Sequence, residues 1–183
     1  VSVENVHMVT KQWYVLRVSY GRVLKAKEII DARTIKCYAP IRSKQITKHG
    51  KKHIISESLI PSFIFVHSSL EEVDTMLHDD KVKSIESQPL LSFYFDHTSY
   101  RQDKPDRNPP LVIRDEVMQN FINLNSVKNP HITPVTSQNI QYEQGDRVIV
   151  TEGDFKGIQG RVARIAGQQR VIVELFSGCL VRS

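Results

Sequence analysis

The sequence predicts an α+β domain with a mostly antiparallel sheet, followed by a linker and a small all-β barrel. Three observations predict it. Apolar residues at helical spacing occur only before residue 125. Residues 125–140 (NSVKNPHITPVTSQNI) show no periodicity and hold two prolines among Ser, Thr and Asn, the composition of a linker. Beyond them come short alternating strands with glycine turns, the pattern of a small barrel. The expected domains are 11–124 and 141–183, the second with its last strand cut short.

The elements follow in order. Lys11–Val18 (KQWYVLRV) is rich in aromatic and β-branched residues and stops at Ser19-Tyr20-Gly21, so it reads as a strand. Val23, Ala26, Ile30 and Arg33 fall on one helical face, predicting a helix over 21–33. Ile35–Ile46 is strand-like but interrupted at Pro40, which cannot donate to a ladder. Lys48-His49-Gly50-Lys51-Lys52 reads as a hairpin tip, and His53–Ile60 as the returning strand. Pro61–Val66 (PSFIFV) is a short strand apolar on both faces. Leu70, Val73, Met76 and Leu77 mark an amphipathic helix with an acidic outer side. Leu90–Phe95 is a further apolar run, 96–110 a polar loop with three prolines, and Ile113, Val117, Phe121 and Leu124 a third helix. After the linker, Asp146–Thr151, Ile158–Ile165 and Arg170–Leu175 alternate as strands.

Composition excludes several classes. Among 183 residues, 40% are hydrophobic and 25% charged, which suits a core-forming soluble chain and not a disordered one. No apolar run approaches the roughly 18 residues of a membrane helix, and the N-terminus lacks a secretory signal. Cys37 and Cys179 form no disulfide framework and stand at no zinc spacing. A cytoplasmic chain without metal or cofactor is expected. The absence of an initiator Met, and an end just after a strand start, suggest a piece of a longer chain. Charge is uneven. Residues 11–53 carry twelve Lys or Arg against Glu28 and Asp31, a balance of +10 that leaves −5 elsewhere from a total of +5. That asymmetry fits either a solvated basic face or a surface for a polyanion.

No enzymatic constellation is present. GDFKGIQGR (153–161) lacks the Lys-Ser/Thr that ends a phosphate loop, because Arg161-Val162 follow Gly160 and open a strand. The seven histidines are scattered, with neither HExxH nor GxSxG. Phe63 and Phe65 share one strand face, with Ile64 and Val66 on the other. Either both faces are buried, or the phenylalanines line an apolar hollow that receives a partner's helix. The hairpin around KHGKK, with Arg42 and Lys44, is either solvated or tracks phosphates. It has no aromatic for base stacking, so any contact is electrostatic and weakly sequence-specific.

The ordered pieces resemble a known family. Trp13-Tyr14-Val15-Leu16, Gly21-Arg22 with its helix, Tyr38-Ala39-Pro40 and Pro61-Ser62-Phe63-Ile64-Phe65-Val66 resemble the NusG N-terminal domain. Tyr142–Val150 with Gly153, Phe155, Gly157 and Gly160 resembles a KOW motif. Within that family the chain is similar to the RfaH-like paralogs, and more so to the UpxY-type antiterminators of capsular polysaccharide loci. LLSFYF, the long polar loop before PLVI and VTEGDFKGIQGRVARIAGQQRV carry that likeness.

The resemblance implies a monomeric transcription elongation and antitermination factor of α/β sandwich plus KOW fold. It implies docking on the clamp helices of RNA polymerase's largest subunit through Ile60, Pro61, Phe63 and Phe65. It implies a gate-loop contact to the second largest subunit at Asp74, Thr75 and Met76, where only the central Thr matches the His-Thr-Thr pattern of the RfaH group. Arg22, Lys25, Lys48, Lys51 and Lys52 would meet non-template DNA or nascent RNA. Gly145, Asp146, Gly153, Phe155, Gly157 and Gly160 would form the KOW turns. Rho or a ribosomal protein would be the KOW partner. An RNA- or ribosome-binding KOW protein without polymerase function stays open as the other reading.

Overall fold

A computed structural model describes residues 9–83, 89–98, 108–127, 132–135, 141–176 and 179–182. The first sheet contains β1 (Gln12–Val18), β2 (Lys36–Tyr38), β5 (Phe63–Ser68), β6 (Leu91–Phe93) and β7 (Val112–Ile113). Its order is β2-β5-β1-β6, with β7 also on β1. The β1–β5, β1–β6 and β2–β5 pairs are all antiparallel. Central β1 is buried at Trp13, Tyr14, Val15, Leu16 and Val18, so both its faces are covered along most of its length.

One face carries the main core. Tyr14, Leu16, Val18, Ile64, Val66 and Leu91 point to it from the strands, and Val23, Ala26, Ile30, Val73 and Met76 meet them from two helices. These are α1 (Val23–Asp31) and α2 (Leu70–Leu77). The buried positions of α1, Val23, Ala26 and Ile30, are the predicted stripe. The Oγ of Ser69 accepts from Glu72 N at 3.1 Å, capping α2, and Glu71 and Glu72 complement its positive end. A four-residue helix, α3 (Asp80–Lys83), follows that periodicity does not predict.

Between β2 and β5 the chain leaves as a two-stranded ribbon of β3 (Ile41–Lys48) and β4 (Lys51–Ser58). Pro40 separates β2 from β3, as its missing N–H requires. Lys48 pairs with Lys51 across His49-Gly50, at φ 50 and 73. Two successive positive φ values define the turn whose twist matches a hairpin.

The third helix, α4 (Asp115–Ser126), starts two residues later than its predicted stripe. Ile113 lies in β7, and the buried side is Met118, Phe121 and Leu124. The second sheet runs β8-β12-β11-β10-β9. These strands are β8 (Thr133–Val135), β9 (Gln141–Ile149), β10 (Gln159–Ile165), β11 (Gln168–Phe176) and β12 (Cys179–Arg182). Its small core centres on Ala163 and Ile172. Thr133–Val135 falls inside the expected linker, yet it pairs antiparallel with β12 through Pro134 opposite Val181. That strand is three residues long with a proline in the middle, too short for alternation to reveal it.

Candidate functional site

The face of the first sheet opposite α1 and α2 carries the candidate site. Arg17 and Phe63 lie opposite each other on β1 and β5. Tyr94 follows β6 and is tied to β1 by its N–H donating to Val15 O at 3.0 Å. The Phe63 and Tyr94 rings meet edge to face, centroids 5.0 Å apart and planes at 71°. The Arg17 guanidinium sits 5.5 Å from the Tyr94 centroid, and His97 packs on the ring's edge at 5.9 Å. Phe63 and Tyr94 are half-buried, whereas Pro61 and Arg17 are exposed. Pro61 is held at this corner by Val18 N–H donating to Ser62 O at 2.8 Å.

Two of the residues expected in the hollow are not available. Phe65 is 0% exposed and Ile60 is 7% exposed. The same-face pair is therefore split: Phe63 reaches solvent at the strand start, and Phe65, two residues on, is core. Arg17, Tyr94 and His97 were not among the expected site residues. Arg17 comes from β1, and Tyr94 and His97 from the segment after β6, so no local spacing joins Arg17 to the other two.

The residues expected at a gate-loop contact divide similarly. Asp74 and Thr75 are exposed on α2, with Asp74 O accepting from His78 Nδ1 at 2.8 Å. Met76 is 3% exposed and belongs to the core, as its helical spacing with Val73 dictates. It cannot serve as a contact in this fold.

The ribbon presents two unlike faces. Strand alternation and register put Arg42, Lys44, Ile46, Lys48, Lys51, His53, Ile55 and Glu57 on one side. Ile41, Ser43, Gln45, Thr47, Lys52, Ile54, Ser56 and Ser58 lie on the other. Near the base, Arg42 Nη2 and Lys44 Nζ lie 3.0 and 3.5 Å from the Glu57 carboxylate. Lys48 and Lys51 stand at the tip, roughly 20 Å further out by strand rise. Of the three expected lysines, Lys48 and Lys51 thus share the cationic side and Lys52 does not. If the cationic side tracks phosphates, replacing Lys48 and Lys51 with Gln is expected to flatten the log–log salt dependence of nucleic-acid binding by about 0.7–0.9 per lost contact. Lys52→Gln is expected to leave the slope nearly unchanged. Equal effects from all three would contradict the division of faces.

The second sheet places its glycines in three different settings. Gly153 and Gly157, at φ 77 and 88, form the β9–β10 turn, with Gly157 N–H donating to Val150 O at 2.8 Å. Phe155 lies half-buried within that turn. Gly160 is not in a turn. It pairs with Val148 inside β10, and a Cβ there would meet Ile172 O at 2.6 Å. Gly145 and Asp146 lie within β9, where the register jumps between Arg147 and Tyr142, so they form a bulge and not a turn. Helix α4 is fastened to β10: Asn120 Nδ2 donates to Gln159 O at 2.7 Å, and Gln159 N–H donates to Asn120 Oδ1 at 2.8 Å.

Cys37 carries no catalytic arrangement. Its Sγ donates to Asp31 Oδ1 at 3.3 Å, and burial, with Asp31 adding to it, pushes the thiol from 9.0 to about 12. The Lys27 ammonium, 2.6 Å from Asp31 Oδ2, lowers that carboxyl and is itself raised by the hydrogen bond. In a Cys179→Ser background, alkylation of the native chain near pH 8 is expected to run at least a hundredfold slower than in urea. Stability should fall as pH rises from 9.0 towards about 12, because only the unfolded thiol ionises readily there. Native and denatured chains reacting alike would show that Cys37 is accessible.

Among the described residues no group of His, Cys, Asp or Glu could hold a metal ion, and no helix is long and apolar enough to cross a membrane. The chain matches the family described as "Transcription termination factor nusG" over residues 11–122. That span contains the first sheet, the ribbon and the Phe63–Tyr94 surface. The chain is also similar to the "Transcription termination/antitermination protein NusG" of Rickettsia felis. The two are 25% identical over 178 residues, the alignment covering 91% of this chain and 82% of that protein. With an antiparallel sheet backed by two helices and an all-β second sheet, this chain belongs to the NusG family of transcription termination and antitermination factors.

Proposed function

We propose that the chain is an antitermination factor that docks on RNA polymerase through the Phe63–Tyr94 face and suppresses pausing or termination. The observation that carries this reading is the partly exposed aromatic pair with Arg17 and Pro61 beside it, on the sheet face opposite α1 and α2 and inside the family-matched span. A half-buried ring pair rimmed by a cation suits the apolar side of an amphipathic helix, so the clamp helices of the largest subunit are the proposed partner. Asp74 and Thr75 remain the proposed gate-loop contact. The cationic side of the ribbon and the Arg22–Lys25 turn are proposed to face non-template DNA or nascent RNA. The second sheet is left to bind Rho or a ribosomal protein. The likeness to UpxY-type proteins supports service of a long polysaccharide operon. The family match over 11–122, which contains this face, favours this reading over an RNA- or ribosome-binding protein without polymerase function.

Single-round transcription over a template with pause and termination sites tests the proposal. Added protein is expected to raise full-length product and shorten pauses. Unchanged pausing and read-through, on templates carrying the polysaccharide-locus leader as well as generic ones, would overturn it.

A further inference from the structure

The turn before α1 holds an aromatic residue where backbone geometry disfavours one. Tyr20 sits at φ 54 and ψ 30, in the left-handed region where a bulky residue's Cβ crowds its own backbone. Gly21 follows at φ 65, a value only glycine takes without strain. Packing does not explain the tyrosine, because it is 68% exposed. Among the described residues Thr34, His49 and Ala166 also take positive φ, but Tyr20 is the one that combines it with a large exposed aromatic ring, and that combination points to use of the ring. The Arg22 guanidinium lies 5.4 Å from the ring centroid, so the pair presents an aromatic surface backed by a cation.

The surroundings indicate the partner. Lys25 is exposed one turn on; the first turn of α1 carries no acidic residue, and the Lys25 ammonium meets Glu28 at 3.6 Å in a solvent-exposed pair that a phosphate can replace. The turn also borders the proposed docking corner, since a Cβ on Gly21 would lie 3.8 Å from Pro61 Cβ. The ribbon, by contrast, has cations but no Phe, Tyr or Trp between residues 41 and 58. It can follow phosphates and cannot stack on bases.

We propose that Tyr20 and Arg22 form a stacking platform for one unpaired nucleobase, with Lys25 meeting the adjoining phosphate. The inference rests on the reading that this face meets nucleic acid in a transcription complex. Stacking on an aromatic face tolerates any base, so the platform grips a single strand without reading its sequence. Tyr20 adds the stacking function that the ribbon lacks.

The test is photocrosslinking of the full chain to single-stranded oligonucleotides bearing iodouracil, one set deoxyribose and one set ribose, with peptide mapping. The expected adduct is on Tyr20, and comparing the two sets tells DNA from RNA. Tyr20→Phe should keep the yield and Tyr20→Ala should lose at least tenfold. Tyr20→Gly should lose the adduct while melting no lower than wild type, because it removes both the ring and the strained Cβ. Unchanged yield in Tyr20→Ala, adducts confined to the ribbon, or a lower melting temperature in Tyr20→Gly would each overturn the proposal. If instead Tyr20→Ala weakens association with nucleic-acid-free polymerase and leaves the crosslink intact, the ring serves a protein partner and the platform is wrong. No polymerase is needed for the oligonucleotide arm, so failure of docking and failure of the platform read out separately.

Discussion

Phe65→Ala is expected to lower the unfolding free energy by about 3–5 kcal/mol, the usual result of truncating a fully buried phenylalanine. Phe65 is 0% exposed and sits in β5 between Val15 on β1 and Tyr38 on β2. The void would open in the middle of the sheet, where strands on both sides limit collapse. A domain of ordinary stability, about 5–15 kcal/mol, would lose a large share of it. Urea unfolding followed by Trp13 fluorescence measures the loss, with a lower midpoint and a similar slope expected. A loss under about 1 kcal/mol would mean that Phe65 is not core, and would return it to the docking surface.

Phe63→Ala combined with Tyr94→Ala should give the opposite pattern. Both rings are half-buried, and the edge-to-face contact between them contributes about 0.5–1.5 kcal/mol beyond area burial. The variant should therefore stay folded. As paired anchors of an interface, each ring is expected to contribute about 2 kcal/mol or more to polymerase binding. Loss of even one such contribution weakens affinity about thirtyfold. Titration of labelled core RNA polymerase, with circular dichroism on the same samples, separates binding from folding. Affinity within twofold of wild type in a folded variant would remove this face from the proposal.

The contrast between Phe63 and Phe65 shows where sequence reasoning stops. Period-two alternation sets them on one face and Ile64 with Val66 on the other, and the register with β1 agrees. Alternation does not tell how far along a strand the cover extends, because that depends on tertiary packing. Met76 is a different case. Its spacing with Val73 marked a buried helix stripe, and likeness to relatives placed it in a contact. The stripe prevailed, since burial is a constraint on this chain's own helix. Gly160 shows that glycine has two structural meanings. Sequence suggested a turn, and close approach to the Ile172 carbonyl is the actual reason for the missing Cβ.

The ribbon was legible because its signals are local: Pro40, two strand-like runs and Gly50 at the tip. Its sidedness was not, because which lysines share a face depends on the register set by the His49-Gly50 turn. Arg17 and Tyr94 join the candidate site from positions 77 residues apart in sequence, across β1 and the segment after β6. No spacing rule reaches that far, and only the sheet topology brings them together. The β8 strand inside the expected linker was hidden for the same reason: its partner, β12, lies more than forty residues onward.

Association of the full chain with core RNA polymerase in size-exclusion chromatography is the most direct test of the central claim. Wild type is predicted to co-elute with the enzyme in the absence of nucleic acid, as is the Lys48→Gln/Lys51→Gln variant, whereas the folded Phe63→Ala/Tyr94→Ala variant elutes alone. Failure of wild type to co-elute, or co-elution undiminished without the two rings, would contradict it.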